Sequence, residues 1–313
     1  MSNNQYGVLL IFAGMLFFSI QDVLIKKIVL EVSLIQIIVI RSFFGCVMLS
    51  LFLYLTKRKI TFGSSYPVIA IFRGGLFFFG FTLFYIAVSK INLAEATSLF
   101  FISPFFMTIL SRIILKNPIG LNRVFAIIVG FLGTLLIVKP EFDTLNIYMI
   151  LPMICAFTYS ISMILAKLTS DKDSLFQQTF HIYLGTFVVG SLVYLLLNAF
   201  PKVGSVTMFS SLAKPLIFND LNILLIILII AFIGSLGILL LIYAYRVGSP
   251  TSNSPSEYIL LIFSTFNGFI FLGELPDFYS IIGMSLIVGS GLYIIFRENV
   301  KDKLVVSKTT LRT

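Results

Sequence analysis

The sequence predicts an all-α integral membrane protein with ten transmembrane helices, arranged as two inverted repeats of five helices. The first observation behind this prediction is composition: the 313 residues are 58% hydrophobic and 11% charged, with a mean hydropathy of +1.06. A soluble domain carries roughly 25% charged residues, so this chain has too few charges to cover a globular surface. Composition therefore excludes a disordered chain, a secreted scaffold and a soluble enzyme. The other two observations are ten apolar segments and a similarity between the two halves.

Ten apolar segments are candidates to cross a bilayer, for which a helix needs about 20 mostly apolar residues. The loops between them contain polar, charged and proline residues, and the longest loop spans about 198–220. The first segment has no basic residue before it and no A-x-A site after it, so we expect a transmembrane helix there and no cleaved signal peptide. The predicted spans are Tyr6–Ile25, Leu34–Leu55, Pro67–Ser89, Leu93–Leu115, Val124–Val138, Ile147–Ala166, Phe176–Leu197, Leu221–Tyr245, Ser252–Leu272 and Phe278–Phe296.

Basic residues predict the orientation of these helices, because Lys and Arg are enriched in cytoplasmic loops. If the N-terminus is cytoplasmic, fourteen Lys and Arg residues fall in the inner loops and the C-terminal tail, against six in the outer loops. We therefore expect a multi-pass protein of the cell inner membrane with both termini in the cytoplasm. The net charge of +9 has the same explanation, so no nucleic-acid partner is expected.

Short motifs recur in the same order in both halves of the chain. Paired motifs are 141 residues apart early in each half and 158 residues apart later, and the long loop accounts for most of the difference. The sequence thus predicts a first five-helix repeat over residues 6–138, a second over 147–296 and a basic cytoplasmic tail over 297–313. The motif pairs are Ser33-Leu-Ile-Gln36 with Ser174-Leu-Phe-Gln177, Phe84-Tyr-Ile-Ala87 with Ile242-Tyr-Ala-Tyr245, and Lys116-Asn-Pro118 with Glu274-Leu-Pro276.

Because each repeat has an odd number of helices, the second repeat inserts upside down relative to the first. Such inverted repeats are a transporter architecture, with the binding site near the midplane between the repeats. Small residues four apart, Ala126 and Gly130 in the fifth helix and Ser285 and Gly289 in the tenth, are typical of close helix packing. This packing occurs either within the chain or at the face of a homodimer.

Six motifs carry a family resemblance: Asp22-xxx-Lys26, Arg41, Arg73-Gly-Gly, Leu93-Ala-Glu-Ala-Thr-Ser-Leu-Phe-Phe-Ile-Ser-Pro104, Pro255-Ser-Glu-Tyr258 and Gly273-Glu-Leu-Pro276. Together they resemble the drug/metabolite transporter superfamily, specifically its EamA-type members, over residues 7–296. The resemblance implies a ten-helix transporter of small organic molecules and leaves the substrate open. Asn253 and Ser256 depart from family positions that are often small and apolar.

Several ionisable residues of the first repeat lie within predicted spans or at their ends; in mid-bilayer each costs roughly 2.5–3.5 kcal/mol and requires a partner or a water-filled cavity. Asp22 and Lys26 are four residues apart on one face of the first helix, near its outer end. They form either an interfacial ion pair or an outer gate. Arg41 and Arg73 lie deeper, and each either pairs with a buried acid or binds a substrate carboxylate or phosphate.

The second repeat has one acid deep in a span. Glu257 and Tyr258 follow Pro255 in the ninth helix, where the missing backbone donor predicts a kink or an unwound turn. Glu257 either pairs with an arginine or binds a cationic group or a coupling proton. Ser103, before Pro104, marks the equivalent break in the fourth helix and is a candidate substrate contact.

Four further residues are candidates for substrate binding or gating. Tyr159 lies in the middle of the sixth helix, where its hydroxyl needs a polar partner. His181 in the seventh helix is either a hydrogen-bonded structural residue or a substrate contact. Tyr85 and Tyr243 occupy equivalent repeat positions, either as belt tyrosines at the membrane interface or as gating residues.

The predicted charges favour a zwitterionic or anionic substrate. Asp22, Lys26 and Glu95 are expected near the outer interface, which leaves Arg41, Arg73 and Glu257 in the interior with one excess positive charge. We therefore expect secondary-active transport of a small polar organic metabolite by alternating access. Efflux of amphipathic drugs is the alternative within transport. A non-transporting membrane subunit or an intramembrane enzyme is the alternative from another class.

No motif indicates catalysis, a metal or a cofactor. The sequence contains no Ser/His/Asp set, no H-E-x-x-H motif and no phosphate-binding glycine loop. Cys46 and Cys155 lie in apolar runs, which is typical of small buried hydrophobic residues and not of a disulfide framework. The expected partners are a small-molecule substrate and the lipid bilayer.

Overall fold

The computed structural model describes residues 3–55, 62–116, 120–138, 147–199, 219–248, 253–273 and 281–290, together with positions 212, 214, 216, 217, 275, 277–279 and 293. Regular structure within these residues is entirely helical. The helices are α1 Asn3–Ile28, α2 Leu34–Leu55, α3 Pro67–Val88, α4 Leu93–Phe100, α5 Ser103–Ile114, α6 Leu121–Val138, α7 Ile150–Leu168, α8 Leu175–Ala199, α9 Leu221–Val247, α10 Ile259–Leu272 and α11 Ile281–Ser290. Short 3₁₀ segments, Ile147–Met149 and Ser254–Tyr258, precede α7 and α10.

The prediction of an all-α membrane protein is confirmed. Seven helical stretches in the described residues are long and apolar enough to cross a bilayer, and one of them is α4 and α5 taken together. Shorter apolar helices at Val124–Leu136, Ser256–Leu272 and Ile281–Ser290 coincide with the fifth, ninth and tenth predicted spans.

Two spans are interrupted where the prolines predicted a break. The fourth span stops at Phe100 and resumes at Ser103, with Pro104 in the first turn of α5. The ninth span begins with the 3₁₀ segment Ser254–Tyr258, which contains Pro255, and then continues as α10. Proline causes both interruptions because it lacks the backbone N–H that an α-helical turn requires.

Each of the main helix contacts between the two halves of the chain has an equivalent contact in which the two halves exchange roles. The contact of α1 with α9 corresponds to the contact of α7 with α3. The contact of α1 with α10 corresponds to the contacts of α7 with α4 and α5. Likewise α2 packs against α9 as α8 packs against α3, while α2 and α8 pack against each other. This pattern is the one that two five-helix repeats related by a twofold axis produce. It places the core between α1, α3, α7 and α9.

Small residues of α6 are used for packing within the chain. A Cβ atom at Gly133 would lie 2.6 Å from the backbone oxygen of Gly283 in α11, and one at Gly130 would lie 2.9 Å from the Tyr258 hydroxyl. At these positions α6 therefore approaches α11 and the 3₁₀ segment too closely for a larger residue. A Cβ atom at Gly289 would meet nothing within 4 Å.

Candidate functional site

Two adjoining cavities lie in the core of the bundle and share Phe18 of α1 and Phe81 of α3. The arginine chamber is lined by Phe18, Gln21, Ile38, Arg41, Phe77, Phe81, Ile182, Tyr183, Thr186, Gly234 and Ile238. The aspartate chamber is lined by Met15, Phe18, Asp22, Phe81, Phe84, Phe100, Tyr159, Leu241 and Leu260. Both halves of the chain thus contribute to each chamber, and aromatic rings form much of the walls.

A polar network of four buried residues joins the two chambers. The Tyr85 hydroxyl donates to Asp22 Oδ1 at 3.0 Å and accepts a hydrogen bond from Gln21 Nε2 at 2.8 Å. Arg41 lies close enough to Asp22 and Tyr85 to interact with both electrostatically. Its Nε has no hydrogen-bond partner among the described residues. The network therefore presents a carboxylate, a guanidinium donor and a hydroxyl to one place in the core.

The structure places Asp22 deeper than the sequence predicts. Its side chain is only 5% exposed, and it lines the aspartate chamber instead of facing water at the outer interface. Lys26, on the same helix face, donates to the backbone oxygen of Ile91 at 3.3 Å. Its burial places Asp22 with the interior charges.

Arg73 is buried away from both chambers. Its Nε donates to the backbone oxygen of Ser162 at 3.1 Å and to the Ser162 hydroxyl at 3.3 Å. It also interacts electrostatically with Asp173 in the α7–α8 turn. Neither chamber has Arg73 among its lining residues. The structure therefore does not bring Arg41 and Arg73 together, although the sequence grouped them in the interior.

Glu257 forms a second buried cluster, with two tyrosines. Tyr159 donates to Glu257 Oε1 at 2.6 Å, and the Tyr245 hydroxyl donates to the same oxygen. The carboxylate is 0% exposed, and its Oε2 has no hydrogen-bond partner in the described residues. Only Tyr159 of these three residues lines a chamber.

Tyr245 is a site residue that the sequence analysis missed, although its signal was present in the repeated motif Ile242-Tyr-Ala-Tyr245. The repeat aligns Tyr85 with Tyr243 instead, and Tyr243 is 37% exposed. The Tyr243 ring lies edge-on to Tyr6, with 6.0 Å between ring centroids. Tyr243 thus lies outside the core, and Tyr245 occupies the inward position.

The remaining candidates lie outside the two chambers. The Tyr258 ring packs on Phe101 at 5.3 Å between centroids. Ser103 accepts a hydrogen bond from Ser160 on its backbone oxygen at 3.1 Å, while its own hydroxyl has no partner in the described residues. The Nδ1 atom of half-buried His181 lies 2.7 Å from the Gln177 backbone oxygen, one turn away in α8. None of these three residues is among the described residues that line either chamber.

Hydrogen bonds bridge the end of the bundle that carries the α7–α8 turn, here called the α7–α8 end. Asp173 accepts from the Ser64 hydroxyl at 2.5 Å and from the Ser65 backbone N–H at 2.7 Å, just before α3. Arg246 of α9 donates to the backbone oxygens of Asp173 at 2.5 Å and Ser170 at 3.1 Å. Asp173 is therefore the hub of a closed gate at this end.

The opposite end, which carries the α1–α2 turn and is called the α1–α2 end, is also bridged. Ser33 donates to the backbone oxygen of Leu212 at 2.8 Å, and the Gln36 side chain bonds both backbone groups of Ile217 at 2.5 and 2.8 Å. Lys214 donates to the backbone oxygen of Val29 at 2.9 Å. Both ends of the bundle are thus bridged by hydrogen bonds within the described residues, and these two bridges are the candidate gates.

The sequence pattern of the EamA-like transporter family matches residues 5–139 and again residues 146–297. The chain belongs to the EamA-like transporter family. An S-adenosylmethionine uptake transporter of Rickettsia bellii is 27% identical over 280 residues, 90% of each chain. The pseudopaline exporter CntI of Pseudomonas aeruginosa is 27% identical over 90% of this chain and 93% of its own. A riboflavin transporter of Brucella anthropi is 22% identical over 68% of this chain and 71% of its own.

A solved crystal structure shares the fold with a TM-score of 0.69 and 15% sequence identity, over 92% of this chain and 95% of that one. This likeness shows the fold. The family membership and the named relatives show a multi-pass membrane transporter, and the enzyme alternative is wrong. The three relatives described above are named for metabolites. This supports the transport of a small metabolite over drug efflux.

Proposed function

We propose that this EamA-like protein is a secondary-active transporter of a zwitterionic organic metabolite with an amino-acid-like head group. The observation that carries the proposal is the buried network of Asp22, Arg41 and Tyr85 where the two chambers meet. A guanidinium binds a carboxylate through charge-assisted hydrogen bonds, and a buried carboxylate suits an ammonium group. A zwitterion satisfies both groups at once, so neither is left as an uncompensated charge in the membrane.

The position of Asp22 also supports a zwitterionic substrate over an anionic one. The sequence predicted one excess positive charge in the interior because Asp22 was expected at the interface. With Asp22 beside Arg41 and with Arg73 held by Ser162, the chamber network has one negative and one positive group. This balance favours a zwitterion over a plain anion.

Aromatic walls suit a substrate that carries a ring beyond its head group. Phe84, Phe100 and Tyr159 lie around the aspartate chamber, and such rings stack on or pack edge-on against planar ligands. S-Adenosylmethionine, named for the Rickettsia relative, combines an amino-acid head group with an adenine ring, so it is the first probe to use. Riboflavin lacks that head group, and its transporter matches a smaller share of this chain.

We further propose that the protein resides in the cell inner membrane with both termini in the cytoplasm, so that the α7–α8 end faces the cytoplasm. The excess of basic residues in the loops on that side supports this orientation. A C-terminal fusion to a reporter that is active only outside the cytoplasm is expected to stay silent. Activity of that fusion would reverse the assignment of the two gates.

The test of the substrate class is uptake of labelled S-adenosylmethionine by the purified protein in liposomes, with unlabelled methionine, succinate, riboflavin and tetraphenylphosphonium as competitors. We expect methionine, the zwitterion, to compete better than the anion succinate or the cation tetraphenylphosphonium. Arg41→Gln should weaken uptake about tenfold or more, because hydrogen bonds to charged groups contribute about 1.5–3 kcal/mol. Arg112→Gln, at an exposed position in α5, is the matched control and should transport normally. Best competition by the cation, with full activity of folded Arg41→Gln, would overturn the proposal.

A further inference from the structure

Glu257 is a buried carboxylate whose two oxygens have different surroundings. Oε1 accepts hydrogen bonds from the hydroxyls of Tyr159 and Tyr245, so both of its lone pairs are used. Oε2 is equally buried and has no partner among the described residues. A carboxylate held in this way is stable in a membrane protein only if a positively charged group or a proton reaches it.

The charged groups on the surrounding helices do not supply that positive charge. The groups that face Glu257 are three phenols, from Tyr159 on α7, Tyr245 on α9 and Tyr258 next in the chain. Asp22 of α1 lies at the wall of the aspartate chamber and is itself acidic. The basic residues on the described elements packed against Glu257 have other contacts or are exposed; they are Lys26, Lys27, Arg112, Lys167 and Arg246.

A metabolite in the chambers does not reach Glu257 directly. Glu257 is not among the described residues that line either chamber, whereas Tyr159 lines the aspartate chamber with its hydroxyl on Glu257. The Tyr159 side chain therefore separates the cavity from the carboxylate. A proton is the one cation that crosses such a barrier without moving it, because a hydroxyl both donates and accepts.

We propose that Glu257 is the coupling-proton site of this transporter and that the Tyr159 hydroxyl is the relay between the aspartate chamber and the carboxylate. In the loading step Tyr159 gives its hydroxyl proton to Glu257 Oε1 and takes a proton from a donor in the chamber. The reverse transfer releases the proton. Glu257 lies in the 3₁₀ segment that interrupts the ninth span, where the backbone lacks regular α-helical hydrogen bonds. Protonation of Glu257 therefore changes the charge at this irregular segment. This inference rests on the proposed transport function.

The first experiment needs no substrate. Infrared difference spectra of the purified protein in lipid nanodiscs, between acidic and alkaline buffer, are expected to show a protonated carboxyl band that disappears at alkaline pH. Glu257→Gln keeps an acceptor oxygen for both tyrosines and should lack this band, while Asp22→Asn should retain it. Absence of the band in wild type, or its persistence in Glu257→Gln, would overturn the proton site whatever the substrate is.

The second experiment tests coupling and the relay, with S-adenosylmethionine as the probe in liposomes under an imposed pH gradient. We expect Glu257→Gln to lose uphill accumulation and keep counterflow exchange. Tyr159→Phe should slow proton-driven uptake more than Tyr245→Phe, which removes a bond to the same oxygen on the side away from the chambers. Equal loss of exchange and accumulation in Glu257→Gln, or equal slowing by the two tyrosine variants, contradicts the inference. If wild type does not transport the probe, the proposed substrate fails, and the infrared spectra still decide about Glu257.

Discussion

The hydroxyl of Tyr85 lies 3.0 Å from Asp22 Oδ1, and this bond links the last turns of α3 to α1 in the centre of the bundle. The same hydroxyl accepts from Gln21 Nε2 at 2.8 Å, so it acts as both donor and acceptor in the network. Because Tyr85 is fully buried, water does not compete for these bonds. Tyr85 therefore orients the Asp22 carboxylate, which we propose binds the substrate's ammonium group.

Tyr85→Phe is expected to weaken both stability and substrate binding. The variant leaves Asp22 Oδ1 and Gln21 Nε2 without this partner, and such losses cost about 1–3 kcal/mol when the groups remain buried. Thermal unfolding in detergent, with and without S-adenosylmethionine, measures both effects. Tyr243→Phe is the control, since this half-exposed tyrosine should tolerate the change. Equal behaviour of the two variants would contradict the orienting role of Tyr85.

The helices and their interruptions could be predicted from the sequence because they depend on local properties. Stretches of apolar residues define the spans, and Pro104 and Pro255 mark the two breaks through the missing backbone donor. Neither property requires knowledge of which helices are neighbours.

The site was predicted only in part, because it depends on tertiary packing. Asp22 lies two turns from the end of α1, and its burial results from packing against α3 and α9, which hydropathy does not report. Tyr243 and Tyr245 differ by about 200° around the helix axis, so the face that α9 turns inward decides which of them meets Glu257. Arg73 meets Ser162 and Asp173, whose proximity to it no motif indicates.

Arg73→Gln should affect folding and transport rate without changing substrate preference. Arg73 holds the backbone and hydroxyl of Ser162 and faces Asp173, so its loss weakens the contact of α3 with α7 near the α7–α8 end. Concentration-dependent uptake should show an unchanged half-saturation value and a lower maximal rate. A raised half-saturation value equal to that of Arg41→Gln would place Arg73 in the substrate site instead.

Asp173→Asn should open the α7–α8 end. The amide cannot accept from both Ser64 and Ser65 as the carboxylate does, and it removes the negative charge that faces Arg73. A cysteine at Ile182, which lines the arginine chamber, reports the opening through its rate of reaction with a water-soluble thiol reagent. The background carries Cys46→Ser and Cys155→Ser to remove the native thiols.

We expect faster labelling of that cysteine in Asp173→Asn than in the parent protein. Asp171→Asn is the matched control, because the bond that Asp171 accepts from Tyr66 is exposed and should have little effect on closure. Labelling that is unchanged by Asp173→Asn, or changed equally by Asp171→Asn, would show that another contact closes this end.

The crossing of α3 and α8 gives a prediction in which two adjacent glycines behave differently. A Cβ atom at Gly74 would lie 2.6 Å from the Cα atom of Gly185, which is backbone and does not move aside. A Cβ atom at Gly75 would meet nothing within 4 Å. Overpacking a close contact costs about 1–3 kcal/mol, whereas Gly→Ala at an open helical position gains up to about 1 kcal/mol of helix propensity.

Gly74→Ala should therefore lower the melting temperature and the transport rate, while Gly75→Ala leaves both unchanged or slightly raised. Gly185→Ala should resemble Gly74→Ala, since its Cβ atom would lie 2.7 Å from the Cα atom of Gly74. Once one alanine has forced the helices apart, the second costs less, so the double variant should be less destabilised than the sum of the single variants. Melting curves of the wild type, Gly74→Ala, Gly185→Ala and the double variant in the same detergent measure this coupling. Equal melting of Gly74→Ala and Gly75→Ala would mean that α3 and α8 do not cross at these residues in the folded transporter.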